Sequence, residues 1–274
     1  MTHQCTPKLL DPFMRLRNFV RHARTTQTAR LPVSCNLKRY QYESLPSPTC
    51  IRLLELLPTT SNGVIRCSLK TTELEDAPAF KALSYTWGSP RTSIAGTPLH
   101  EEAGLKSLST KEVNSARQHT IICDDCHVKV TSNLRDALHM LSNAINMPHM
   151  PKTPTYYWID FLCMNQSNIE ERNAQVARMA DVFKNADGVV VWLGKEDQYT
   201  QDALTTMRRI SATPEKDWPL VPYTSFYNPE ESQLVSSTRL TFHNWLGFIV
   251  LINRPWFKRA WVSLRQAFTC TIYG

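Results

Sequence analysis

The sequence is short of the features that would assign it to several large classes. No apolar run approaches the roughly 18 residues that a membrane-crossing helix needs; the longest extends from Trp245 to Ile252. The N-terminus has no apolar core of a secretory signal, so a cytoplasmic protein is expected. Glycine occurs only eight times in 274 residues. There is no GxGxxG dinucleotide fingerprint, no GxSxG nucleophile elbow and no HExxH zinc motif. Gly194-Lys195 hints at a phosphate-binding loop, but Val189 and Glu196 stand where that loop needs a glycine and a hydroxyl.

Cysteine gives no framework either. The eight cysteines are irregularly spaced and read as reduced thiols. Cys123-Asp124-Asp125-Cys126-His127 has the spacing of a haem-attachment site, but a tight turn there offers no pocket. No second ligand pair follows at zinc spacing, so no metal is expected. A Cys163 nucleophile lacks any histidine that the sequence places beside it.

Acid is almost missing from the first 42 residues, which carry eight Lys/Arg and only Asp11. Residues 43–274 carry 23 basic and 23 acidic side chains, so the formal charge of +7 belongs to the tail. A neutral globular part gives no electrostatic case for nucleic-acid binding. Residues 1–39, with Arg15, Arg17, Arg21, Arg24 and Arg30 among threonines, are expected to be a poorly ordered solvated extension. A mitochondrial-type targeting segment or an anionic-surface contact is the alternative. One domain is expected over 40–274.

What is present is an α/β pattern. Ile51–Leu57 and Val64–Lys70 flank a Pro-to-Asn-Gly turn and form an expected hairpin, with Ile65, Cys67 and Leu69 alternating against polar neighbours. Phe80–Gly88 reads as a third strand and Ile121–Val130 as a second hairpin turning on Asp124-Asp125. Residues 89–119 are polar and of low expected order. Helices are expected at Asn133–Ile145, around Asp202–Ile210 and, buried nearly all round, at Thr241–Asn253.

The organising stretch is Tyr157–Gly194. Tyr156–Leu162 is an apolar run expected to be a buried strand. Ile169, Val176, Met179, Ala180 and Phe183 recur near helical spacing, with Ser167 and Glu170 as a capping box at the start. Val189–Leu193 is a second strand closed by Gly194. Strand, helix and strand make a βαβ unit, hence a mainly parallel sheet with flanking helices and hairpin additions. Ligands of such sheets collect beyond the carboxyl ends of the strands. Asp160, Cys163, Asn165 and Gln166 stand at that place.

Three blocks in series carry a resemblance. The first is Ala82-Leu83-Ser84-Tyr85-Thr86-Trp87-Gly88. The second is Trp158-Ile159-Asp160, Cys163-Met164-Asn165-Gln166, Glu171-Arg172, Gln175-Val176, Met179 and Trp192-Leu193-Gly194. The third is Arg254-Pro255-Trp256-Phe257, Arg259 and Trp261-Val262. Together they resemble the fungal heterokaryon incompatibility (HET) domain family over about residues 40–262. The resemblance implies a cytosolic self/non-self recognition protein that promotes programmed cell death, acting through a protein partner or self-association. The family is remotely similar to TIR domains, which have a flavodoxin-like sheet. Some of these hydrolyse NAD through a glutamate on a helix after a Trp-containing motif.

That resemblance makes NAD a candidate substrate rather than a cofactor. The chain departs from the family where it matters most for that chemistry. The pattern continues W-V-x-Q-E after the third block, whereas Leu264 and Arg265 follow Trp261-Val262-Ser263 here. Cleavage of NAD passes through an oxocarbenium-like state that a carboxylate stabilises and a guanidinium opposes. Glu171 or Asp160 is then the substitute carboxylate, or the chain is not an NAD hydrolase. The early end after this block leads to the expectation of a truncated or frame-shifted product. The block tryptophans and arginines serve either function or fold, with Arg172 and Arg259 as partners for Glu171 or Asp160.

Overall fold

A computed structural model describes residues 37–58, 63–91, 118–145, 155–212, 240–258 and 270–273. The two hairpins form as their alternation predicts. β1 (Cys50–Leu57) runs antiparallel to β2 (Arg66–Glu73), from Cys50 opposite Glu73 to Leu57 opposite Arg66. β4 (Gln118–Cys123) and β5 (Cys126–Thr131) turn on Asp124 and Asp125, at φ 46° and 55°. Two consecutive positive φ values give the turn whose twist matches the strands beside it. Aspartate is one of the few side chains to tolerate that region.

The remaining strands are β3 (Phe80–Ser84), β6 (Tyr156–Trp158), β7 (Gly188–Trp192) and β8 (Cys270–Tyr273). The sheet order is β5-β4-β2-β1-β6-β3-β7-β8. Pairings within β6-β3-β7-β8 are all parallel, as is β2 with β4, whereas β1–β2, β1–β6 and β4–β5 are antiparallel. The mainly parallel sheet expected from the sequence is therefore realised as a mixed one. Its parallel half holds the three block strands and its other half is built from the hairpins.

The βαβ unit is present but straddles a strand, because β3 lies between β6 and β7 and is parallel to both. The crossover uses three helices: α2 (Asp160–Cys163), α3 (Ile169–Ala177) and α4 (Met179–Asn185). α1 (Ser132–Ile145) buries Leu134, Ala137, Leu138 and Leu141 against the main core. β7 serves both faces of the sheet. Val190 and Trp192 join that core, while Val189, Val191 and Leu193 join a smaller one with Ala203, Leu251 and Trp256. The smaller core belongs to α5 (Thr200–Ala212) and α6 (Phe242–Ile252). These two approach so closely that a Cβ on Gly247 would lie 2.7 Å from both Asp202 Cβ and Tyr199 O.

Several boundaries differ from expectation. The strand starting at Tyr156 stops at Trp158, because Asp160 opens a helical turn and accepts from the Phe161 N–H at 2.7 Å. The helix expected over Ile169–Phe183 breaks at Arg178, whose φ of −101° and ψ of 0° separate α3 from α4. Its N-cap is Asn168, not Ser167: Asn168 Oδ1 accepts from the Glu170 and Glu171 N–H groups at 3.0 and 3.1 Å. β3 ends at Ser84, short of Gly88. A 3₁₀ turn at Pro255–Lys258 follows α6. The basic tail up to residue 36, most of the polar excursion and the loop after α5 lie outside the described residues.

Candidate functional site

The parallel register puts the exits of β3, β6 and β7 on one edge. There β3 leads into Tyr85-Thr86-Trp87-Gly88, β6 into Ile159-Asp160 and β7 into Leu193-Gly194. The first two blocks meet directly, since Trp87 Nε1 donates to Asp160 Oδ2 at 3.0 Å. The indole also stands edge-on to Phe161, centroids 5.4 Å apart, and keeps 40% of its surface exposed. Asp160 is buried, and a buried carboxylate is costly unless hydrogen-bonded. The Trp87 indole and the Phe161 amide supply those bonds. Trp87 and Asp160 therefore share one edge of the sheet.

Behind this pair the edge is wired by buried polar bonds. Asn133, at the start of α1, donates through Nδ2 to Thr86 O at 2.7 Å and accepts from Trp192 Nε1 at 2.7 Å. One amide thus ties the β3 exit to the end of β7. Trp256, from the third block, donates through Nε1 to Ser84 Oγ at 3.0 Å. Arg254 donates to Leu193 O at 2.9 Å and to Asp197 Oδ2 at 2.8 Å, clamping the β7 exit. Gly194 in that exit has a φ of 105°, and a Cβ there would lie 2.7 Å from two Pro90 ring carbons. Only glycine satisfies both demands. Gly88, by contrast, has nothing within 4 Å of a built Cβ, so close approach does not explain it.

A second group holds the loop between α2 and α3. Arg52 of β1 meets both carboxylate oxygens of Glu171, at 2.6 and 3.0 Å, with side chains only 3% and 8% exposed. Its guanidinium also donates to Cys163 O at 3.1 Å and Glu43 O at 2.6 Å, and lies 5.1 Å from the Tyr42 ring centroid. Burial alone raises the Glu171 carboxyl, but the Arg52 bonds and the Asn165 N–H outweigh it and hold the group below the usual carboxylate value. Its partner is thus Arg52 rather than Arg172. Gln166 donates to Asp160 O at 2.8 Å, tying the loop back to the start of α2, and Gln175 donates to Cys50 O at 2.9 Å, stitching α3 to β1.

The remaining sequence candidates sort by position. Tyr85 and Trp158 are core, the latter edge-on to Phe183 at 5.7 Å. Cys163 is buried, and burial pushes its thiol up to about 12, so it is no thiolate nucleophile at neutral pH. Arg259 and Trp261, with Leu264 and Arg265, lie outside the described residues. Arg52, Asn133 and Asp197 were missed. A signal existed for Arg52 alone: a cation within an apolar strand buried on both faces demands a buried anion. Among the described residues no group of three or more His, Cys, Asp or Glu could hold a metal ion. No helix of the described residues is long and apolar enough to cross a membrane.

The fold and edge define an α/β domain in which three separated sequence blocks converge on one sheet edge, presenting a part-exposed indole hydrogen-bonded to a buried carboxylate. The profile described as heterokaryon incompatibility protein (HET) matches residues 80–263, and the chain belongs to that family. It is similar to heterokaryon incompatibility protein 6, OR allele, of Neurospora crassa, with 29% identity over 243 residues, covering 82% of this chain and 33% of that protein. The chain thus spans about a third of the length of that relative. No solved structure matches.

Proposed function

We propose that this chain is a HET-type self/non-self recognition protein of the cytoplasm that promotes programmed cell death, acting through self-association or a protein partner. Trp87 carries the reading. Its ring is 40% exposed, yet fixed by one hydrogen bond and one edge-on aromatic contact. A pre-ordered indole loses little freedom on binding, and exposed tryptophans of this kind dominate interface energetics. Family membership supplies the biological setting. Inducible expression in a fungal host, with viability as the readout, tests it: the chain should kill, and Trp87→Ala should not.

The place of Asp160 favours a second reading, NAD cleavage on a TIR-like, flavodoxin-type arrangement. A buried carboxylate beside an exposed ring stands where ligands of parallel sheets collect. In this reading Asp160 stabilises the oxocarbenium-like state, because Glu171 is engaged by Arg52. Nicotinamide release from NAD by the purified chain separates the two readings. Turnover abolished by Asp160→Asn supports cleavage; killing without turnover supports recognition. Leu264→Gln with Arg265→Glu should raise activity in the cleavage reading and leave it unchanged in the other. A chain that neither kills nor turns over has no surviving activity.

A further inference from the structure

The turn between Cys123 and Cys126, whose spacing resembles a haem attachment, stands beside a third cysteine. Cys126 of β5 lies directly opposite Cys123 of β4, and Cys123 lies directly beside Cys67 of β2. Residues paired in this way point to the same face of a sheet. Here that face carries the main core, which takes in Cys67, Cys123 and Val130. The row therefore runs inward from the terminal strand of the sheet order. Cys67 and Cys123 are 1% and 0% exposed, whereas Cys126 is only partly covered, and all three are free thiols. The turn itself is pinned to β2. Asp124 Oδ2 accepts from the Leu69 N–H at 3.2 Å, the Asp124 N–H donates to Cys67 O at 3.1 Å, and Arg66 meets Asp125 at 3.0 Å.

We propose that Cys126 and Cys123 form a reversible oxidative modification site, in which Cys126 meets a peroxide and Cys123 captures the product as a disulfide. Exposure assigns the two parts, since only Cys126 is open to an oxidant. The Cys126 sulfur, as its thiolate, attacks the peroxide. An S–O bond forms, the O–O bond breaks, and the departing hydroxide takes up a proton and leaves as water. The Cys123 sulfur then attacks the Cys126 sulfenic acid. An S–S bond forms, the S–O bond breaks, and hydroxide leaves as water with the Cys123 proton. The peroxide is reduced by two electrons and the two thiols are oxidised. Directly opposed residues of an antiparallel pair lie about 4.5–5.5 Å apart at Cα, inside the roughly 4.4–6.8 Å that a disulfide spans. The bond therefore needs no movement of the hairpin. Cys67 cannot replace Cys123, because Cys123 stands between it and Cys126. Its part is to hold the capturing thiol: Cys67 Sγ donates to Ile122 O at 3.4 Å, which leaves its sulfur to accept from Cys123. That hydrogen bond first, and burial second, push the Cys123 thiol well above the usual thiol value. Cys123 thus reacts only with a neighbour already oxidised.

Hydrogen peroxide treatment of the reduced whole chain, alkylation of the remaining thiols after denaturation, and tryptic mapping by mass spectrometry test this. Cys123 and Cys126 share the peptide 118–129, bounded by Arg117 and Lys129, whereas Cys67 falls in 67–70. Peptide 118–129 should lose two hydrogens and both alkylation sites, and dithiothreitol should restore them. Cys50, Cys67 and Cys163 should stay alkylatable. Cys126→Ser, a change at a partly exposed position, should slow loss of the Cys123 thiol by at least about tenfold, because a buried thiol is inert. Cys123→Ala should leave Cys126 as a sulfenic acid that dimedone tags. A Cys126 that remains alkylatable after peroxide, or that passes straight to sulfinic acid in the wild type, would overturn the proposal. So would peptide 67–70 cross-linked to 118–129, or a Cys123 thiol lost as fast in Cys126→Ser as in the wild type.

Discussion

Cutting Arg52 back to alanine removes the cation that holds the loop carrying Asn165 and Gln166. The two guanidinium–carboxylate bonds to Glu171 are 2.6 and 3.0 Å long between side chains 3% and 8% exposed. Removing one member of such a pair leaves the other charge stranded away from water, which typically costs about 3–5 kcal/mol. Each kcal/mol moves the midpoint of a domain this size by roughly 2–4 °C, so Arg52→Ala should lower Tm by about 6–20 °C. Arg52→Met with Glu171→Leu fills the same space with apolar groups and should recover most of that loss. The folded Glu171 carboxyl lies below its usual value. Its share of stability is therefore complete above the unfolded-chain value and disappears as pH falls through the lower folded one. Thermal melts by circular dichroism across the acidic range should show the wild type losing stability faster than the double variant. An Arg52→Ala midpoint near the wild type, or a double variant no better than the single, would refute the reasoning.

Gly194→Ala should cost about 1–3 kcal/mol for the positive φ alone, with the 2.7 Å approach to Pro90 adding to it. Urea unfolding reads this, and an unchanged midpoint would contradict it. Asn133→Ala orphans Thr86 O and the Trp192 indole N–H, at about 1–3 kcal/mol for each group left unpaired. Its melt should fall accordingly, and its tryptophan emission should shift as Trp192 loses its partner. The Cys163 thiol, pushed up to about 12 by burial, should resist maleimide at pH 8 in the native chain while the partly exposed Cys126 reacts. Mass-spectrometric mapping that finds equal labelling would show the burial to be wrong.

The hairpins were legible because two-residue alternation needs only local information, as in Ile65, Cys67 and Leu69 against their polar neighbours. The place of the Asp160 loop at the carboxyl ends of the strands was legible from the βαβ pattern, whereas the hydrogen bond from Trp87 to Asp160 was not. What failed depended on distant partners. Nothing near Arg52 announces Glu171, which lies 119 residues on and decides which side of α3 faces inward. That ion pair overrode the apolar periodicity, leaving Ile169 and Val176 outside. Asp160 ended a strand that its apolar neighbours would have continued, because its carboxylate is satisfied by a turn amide and an indole. β8 had no counterpart in the reading of the sequence; Cys270–Tyr273 pairs parallel with β7.

The central claim is that the chain kills through the edge on which Trp87 stands. Matched, inducible expression of wild type and Trp87→Ala in a fungal host, scored by colony survival, tests it most directly. The variant gives up one hydrogen bond to Asp160, roughly 1–3 kcal/mol, so abundance must be measured alongside. The account predicts loss of viability with the wild type and survival with Trp87→Ala at equal soluble abundance. A harmless wild type at verified expression, or equal killing by Trp87→Ala, would contradict it.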